Sequence, residues 1–256
     1  MNKIGFIGYG NMGKMIIDGI LSKEIIKSDE MIISTRSMEK LDELKINNPK
    51  ISITYDKKVL ARKCDKIFLM VNTNQLKDVL EEITPYLSPD AHIIYISAGI
   101  NIKDLECIFP GKITHVIPSI TSKVRKGITL IAHNDKVSET DLNYVNFVFN
   151  GLGETKIISE DNMAMATVLT SCFPAFISLI CKKYSEQAAI KGSLSESQVE
   201  DLVKVTLDGT STLLLEMDFD ELISGVATRG GITESGLKIL DKELPILFSD
   251  LFKAVL

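Results

Sequence analysis

The chain has 256 residues, 45% hydrophobic and 25% charged, which is enough apolar material for one large domain or two smaller ones. A formal net charge of −5 argues against binding nucleic acid or an anionic membrane, since both need a basic face. Cys64, Cys107, Cys172 and Cys181 form no CxxC pair and the three histidines have no ligand spacing, so no metal site is expected and the thiols read as reduced in a cytoplasmic protein.

The N-terminal MNKIGFIGYG has neither the basic start nor the apolar stretch of a secretory leader. From there, short apolar runs at 3–7, 31–34, 51–54, 66–71, 92–97 and 113–117 alternate with helix-period stretches at 11–21, 37–47, 57–63, 75–86 and 102–109. Strand–helix repetition predicts βαβ units and a mainly parallel sheet with helices on both faces, a Rossmann-type doubly wound α/β fold. Continuous runs such as IFLMV suit strands buried on both sides. A strand at 128–132 and a helix at 139–149 complete a first domain spanning 1–158.

From 159 to 256 the pattern is almost purely helical. The apolar stretch at 163–180 reaches the minimum length of a membrane span, but Thr167, Thr170, Ser171 and Pro174 interrupt it, and it is read as a buried helix. Ser195 and Gln198 form a capping-box pattern. Beyond it Val199, Leu202, Val203, Thr206, Leu207, Thr210, Leu213 and Leu214 fall on one helical stripe. So small an all-helical segment with several apolar faces is hard to bury alone. It is expected to be a dimerisation domain pairing with a second copy of the chain.

Residues 8–13 read GYGNMG, a full G-x-G-x-x-G that follows the first strand and opens a helix. Gly8 would allow the tight turn, Gly10 the approach of a pyrophosphate, and Gly13 close packing of helix on strand, with Asn11 and Met12 in the first helical turn. At the end of the second strand, an NAD site would carry an acid for the ribose 2′-hydroxyl. Here stand Ser34, Thr35 and Arg36, whose guanidinium and hydroxyls suit a 2′-phosphate, so NADP(H) is expected ahead of NAD(H). Val71 and Asn72, and Ser97, Ala98 and Gly99, end later strands, where doubly wound folds bind ligands.

With these motifs the sequence resembles the pyrroline-5-carboxylate reductase family over nearly its whole length. GFIGYGNMG is similar to the family's opening motif, and SAGI followed by Leu105 to another family segment. HVIPSITSKVRKGIT resembles the segment around M-P-N-T-P, TSCFPAF lies where the family has S-G-S-G-P-A-Y, and TRGGITESGLKILD resembles S-P-G-G-T-T-x-x-G-L-x-x-L-E. The resemblance implies hydride transfer from a nicotinamide to the C=N carbon of a cyclic imino acid, in homodimers or larger homo-oligomers. It implies substrate binding by Thr228, Gly230, Gly231 and Thr233, whose hydroxyls and backbone N–H groups hold a carboxylate. It assigns catalytic roles to Thr233, at the imine nitrogen, and to Glu216 near the site.

The pattern departs from the family at Ser119, Cys172, Phe173, Arg229 and Ile232, and in Val71-Asn72-Thr73, where V-K-P is usual, at its second and third residues. These changes bear on substrate discrimination. Two alternatives follow: a Rossmann reductase of another imine or oxo acid, and a non-catalytic dinucleotide-binding paralogue. A hydroxyacid dehydrogenase would need a catalytic lysine early in the helical part, and Lys182, Lys183 and Lys191 there carry no supporting motif.

Overall fold

The computed structural model describes residues 3–256; residues 1 and 2 of the expected first domain lie outside the described residues. KIGFI forms β1 (Lys3–Ile7), and the glycine-rich turn leads into α1 (Asn11–Ser22). Four further βα units follow: β2 (Met31–Ser34) and α2 (Met38–Asn47), β3 (Ser52–Thr54) and α3 (Lys57–Lys63), β4 (Cys64–Leu69) and α4 (Thr73–Ile83), β5 (His92–Tyr95) and α5 (Ile102–Glu106). Then come β6 (Lys112–Ile117), β7 (Gly127–His133), α6 (Glu139–Asn150) and β8 (Gly153–Ile157).

These strands make one sheet in the order β3-β2-β1-β4-β5-β6-β7-β8. Every pairing is parallel except β6 with β7. The order reverses between β1 and β4, where open α/β sheets place their ligand crevice. Alternation along each strand divides the core between the two faces. Ile7, Leu69, Ile93 and Tyr95 pack on one side; Phe6, Phe68, Ile94 and Val116 pack on the other. Phe6 stacks on Phe68 at 4.8 Å between ring centres, and Phe149 of α6 tilts onto Phe68 at 6.2 Å.

The structure departs from the sequence expectation in four places. The run at 66–71 was expected to be all strand, but β4 starts at Cys64 and ends at Leu69; likewise β5 ends at Tyr95, not Ser97. The apolar pattern runs on past both strand ends because the loops that follow are also part-buried. β8 had no signal in the sequence: GETKI is a mostly exposed edge strand whose pairing with β7, not burial, defines it.

The third departure concerns residues 163–180. α7 (Met163–Thr167) passes through a widened π turn at Val168–Cys172 into α8 (Phe173–Lys191). The extra residue accommodates Pro174, which lacks an N–H for the ladder, so the proline does not end the helix. This stretch is not the buried helix expected. The continuous helical span Glu160–Lys191 is long and apolar enough to cross a membrane, and only 11% of its most apolar window is buried within the chain. Leu169, Phe173 and Leu179 are exposed.

The fourth is the boundary. The compact units are residues 3–174 and Ala175–Leu256, whereas the composition changes at 158/159. Met163 buries itself in the core beside Ile117 and Leu130, Ser119 Oγ donates to the carbonyl of Thr170 at 2.9 Å, and Ser171 Oγ donates to that of Pro118 at 3.2 Å. The first helical turns therefore pack as part of the sheet unit.

The second unit continues with α9 (Glu196–Leu213), α10 (Phe219–Val226) and α11 (Ile232–Val255). Ser195 and Gln198 close the expected capping box on α9, and Asp218 and Glu221 form another on α10. Val199 is buried, but Leu202, Leu207 and Leu213 along the same stripe are exposed in the single chain.

His92 is buried at the start of β5, with Nε2 2.7 Å from Thr114 Oγ1. Burial pushes its imidazole down from 6.5 to about 4. A base depressed in the folded state gives up stability as pH falls, because the unfolded chain takes up its proton first. Unfolding free energy, measured in urea, is expected to fall between pH 6.5 and about 4, and His92→Gln should flatten that part of the profile.

Candidate dinucleotide site

The cleft at the order reversal begins with a close contact between β1 and β4. Gly8 has φ +110°, and a Cβ there would stand 2.2 Å from the carbonyl oxygen of Met70. The Gly8 N–H donates to Ser34 O at 2.8 Å, and Met70 N–H to Ile7 O at 2.7 Å, so the turn is pinned to both neighbouring strands. Only glycine meets both requirements. Gly13 lets α1 press onto this turn: a Cβ there would lie 2.9 Å from Gly8 O. Gly10 has open space where its side chain would be.

Gly10 caps α1 without a side chain, and no acidic residue lies in the first turn. The leading N–H groups and the positive end of the helix dipole thus face the cleft unneutralised, a ready anion site. Asn11, Met12 and Gly13 make up this turn. The arrangement fits a dinucleotide diphosphate: an open space over Gly10, donors in the backbone, and no carboxylate in the first turn of α1, while Asp78 and Glu82 lie elsewhere on the cleft lining and Glu82 is paired with Lys57.

The cleft has a volume of about 380 Å³ and is lined by Gly8, Gly10, Ser34, Thr35, Arg36, Val71 and Asn72 among the residues expected from sequence. Ser34 is buried, while Arg36 is exposed at the mouth and donates from Nη2 to Gln75 Oε1 at 3.2 Å. Also on the lining are Tyr9, Ser37, Lys40, Tyr55, Lys57 and Gln75, which sequence reasoning missed. Lys40 had a usable signal, since it is a second basic residue four positions after Arg36. Tyr55, beyond the end of β3, had none. Lys57 is paired with Glu82 at 2.7 Å.

Ser97, Ala98 and Gly99 lie outside that cleft, at the carboxyl end of β5. Ser97 Oγ donates to Thr73 Oγ1 at 2.8 Å, which joins this loop to the first residue of α4. A Cβ on Gly99 would sit 3.3 Å from Thr73 Cγ2.

Thr228, Gly230, Gly231 and Thr233 share the loop that opens α11 in the second unit. Gly230 has φ +76°, and a Cβ on Gly231 would meet Thr228 Oγ1 at 2.6 Å. The N–H groups of Gly230 and Gly231 are engaged within the loop, by Glu234 Oε2 at 2.8 Å and Thr228 O at 2.9 Å. The glycines shape the turn, and the N–H groups at the open end of α11, on Ile232 and Thr233, are the donors that remain. Glu234 braces the loop and was missed, although a glutamate at the third helical position is a known cap signal. Glu216 lies in the exposed turn after α9.

A glycine cradle at the strand-order reversal, an uncapped helix start and an arginine beyond β2, followed by a helical unit, define a Rossmann-type oxidoreductase. Residues 3–99 match the family described as NADP oxidoreductase, coenzyme F420-dependent, and residues 160–256 match pyrroline-5-carboxylate reductase dimerisation. Pyrroline-5-carboxylate reductase of Methanobrevibacter smithii is 33% identical over 93% of this chain and 97% of its own. The crystal structure of Plasmodium falciparum pyrroline carboxylate reductase with NADP bound superposes with a TM-score of 0.85 at 31% identity, covering 99% of this chain and 94% of that one. A pyrroline-5-carboxylate reductase structure from Coxiella burnetii gives 0.89 at 28%, covering 99% and 96%. The chain belongs to the pyrroline-5-carboxylate reductase family.

Proposed function

We propose that the protein is a soluble, cytoplasmic enzyme that reduces 1-pyrroline-5-carboxylate to proline with NADPH. One observation carries the cofactor: Arg36 and the hydroxyls of Ser34 and Thr35 stand at the cleft mouth where an NAD site would need a carboxylate. The substrate follows from family membership together with the Thr228–Thr233 motif. Residues 1–158 serve as the dinucleotide domain and 159–256 as the substrate and dimerisation domain.

Gly8, Gly10, Asn11, Met12 and Gly13 hold the diphosphate, and Val71 and Asn72 wall the cleft. Ser97, Ala98 and Gly99 take the nicotinamide half. The bound cofactor supplies the hydride that adds to the C=N carbon. The protein's task is alignment, because a protonated imine is already electrophilic. Thr228 with the backbone of Gly230, Gly231 and the open start of α11 holds the substrate carboxylate, Thr233 hydrogen-bonds the imine nitrogen, and Glu216 adds negative charge near the site.

A second copy of the chain covers the apolar helix faces. Tyr184, Val205, Leu215 and Ile232 are among many large side chains that a single chain leaves in water. Light scattering at micromolar concentration should give a dimer or a multiple of it; a monomer would exclude this arrangement.

Two variants test the site. Arg36→Ala should weaken NADPH binding by about 10- to 100-fold, the value of a charge-assisted pair, and leave NADH binding unchanged. Fluorescence titration reads both, and equal losses would remove Arg36 from 2′-phosphate recognition. Thr233→Val should lower kcat for pyrroline-5-carboxylate about tenfold or more at unchanged NADPH affinity. Unaltered turnover would take Thr233 out of the reaction.

A further inference from the structure

The loop carrying Ser97, Ala98 and Gly99 is held from beneath at three backbone groups. His115 Nε2 donates to Ser97 O at 2.7 Å, the Tyr95 hydroxyl donates to Ile100 O at 2.8 Å, and Glu160 Oε1 accepts from Ile102 N–H at 3.2 Å. The holders also contact one another. The rings of Tyr95 and His115 stack at 4.3 Å with 10° between planes, and His115 Nδ1 lies 3.0 Å from the same Glu160 Oε1. Three elements meet here: β5, β6 and the helical turn that begins at Glu160.

The hydrogen bonds fix the protons. A carbonyl can only accept, so Nε2 of His115 carries a hydrogen toward Ser97. A bare Nδ1 lone pair would then face the carboxylate and repel it. The contact is attractive only with a proton between Nδ1 and Oε1. His115 is 1% exposed, and the second oxygen of Glu160 is buried with no hydrogen-bond partner among the described residues. A hydrogen-bonded link with an unsatisfied buried oxygen is a poor source of stability.

We propose that His115, Glu160 and Tyr95 are positioning residues for the reduction, clasping residues 97–102 so that the loop presents its backbone to the nicotinamide. The inference rests on the reading that Ser97, Ala98 and Gly99 meet that half of the cofactor. Ser97 donates to Thr73, so a shift of the loop also moves the start of α4. None of the three clasp side chains touches a reacting atom in this reading. Their effect passes through the alignment of donor and acceptor carbons, where a misplacement of about 1 Å costs up to about 100-fold in rate.

The test compares Tyr95→Phe, His115→Gln and Glu160→Gln with the wild type. Tyr95→Phe keeps the stacked ring and removes one hydrogen bond, so it tests the clasp even if the other two fold poorly. Each folded variant should lower kcat about tenfold, hold the NADPH Kd within about threefold and leave the substrate KM nearly unchanged. Amide hydrogen exchange in residues 97–102 should accelerate about tenfold without any ligand present. Faster exchange with unchanged kcat overturns the positioning role, as does a parallel loss of kcat and NADPH affinity. A wild-type protein that binds no NADPH sinks the functional reading and this inference together; normal wild-type turnover with normal variants sinks the inference alone.

Discussion

The contact on which the site depends is the approach of Gly8 to the Met70 carbonyl. Any side chain at residue 8 would occupy the space of that oxygen, 2.2 Å from a Cβ. Because the contact is possible, β1 and β4 lie side by side where the strand order reverses, and the turn after β1 is short enough to aim α1 into the cleft. Gly13 extends the same logic by one step, letting α1 rest on the turn it leaves. Open donors and a helix dipole at one point are the consequence, and they carry the anion-binding capacity that a dinucleotide needs.

The two units obey different energetics. The sheet unit buries both faces of its strands, with Phe6, Phe68 and Phe149 at the centre of one layer and Tyr95, Leu105 and Ile113 in the other. The helical unit holds its helices with caps and turns but leaves large apolar side chains uncovered. Hydrophobic surface of this kind is stabilised only when something covers it. A partner copy reconciles the apolar composition with the low burial, and the match of residues 160–256 to a dimerisation family is consistent with that account.

Ser119, Arg229 and Ile232, three of the departures from the family pattern, divide in two once geometry is known. Ser119 donates to the carbonyl of Thr170 and Ser171 to that of Pro118, so the loop after β6 is tied to the widened turn. Arg229 and Ile232 lie on the loop braced by Glu234, and both side chains are exposed in the single chain. The first group changes how a backbone is held; the second changes what the loop can offer to a ligand.

The sequence by itself determined the order and faces of the elements. Periodicity is a local property, so 3–7, 31–34 and 57–63 could be read directly, as could GYGNMG, whose glycines record a backbone conformation that other residues resist. It also placed Ser34, Thr35 and Arg36 together, since Ser34 ends one strand and the other two follow it. Tertiary structure decided everything that needs a partner distant in the chain. β8 exists only by pairing with β7, Tyr55 and Gln75 reach the cleft only because β3 and α4 flank it, and the first turns after residue 159 join the sheet unit through Ser119 and Ser171. The link from His115 to Glu160 spans 45 residues of sequence, and its meaning lies in which atoms face each other, a fact that spacing along a chain does not encode.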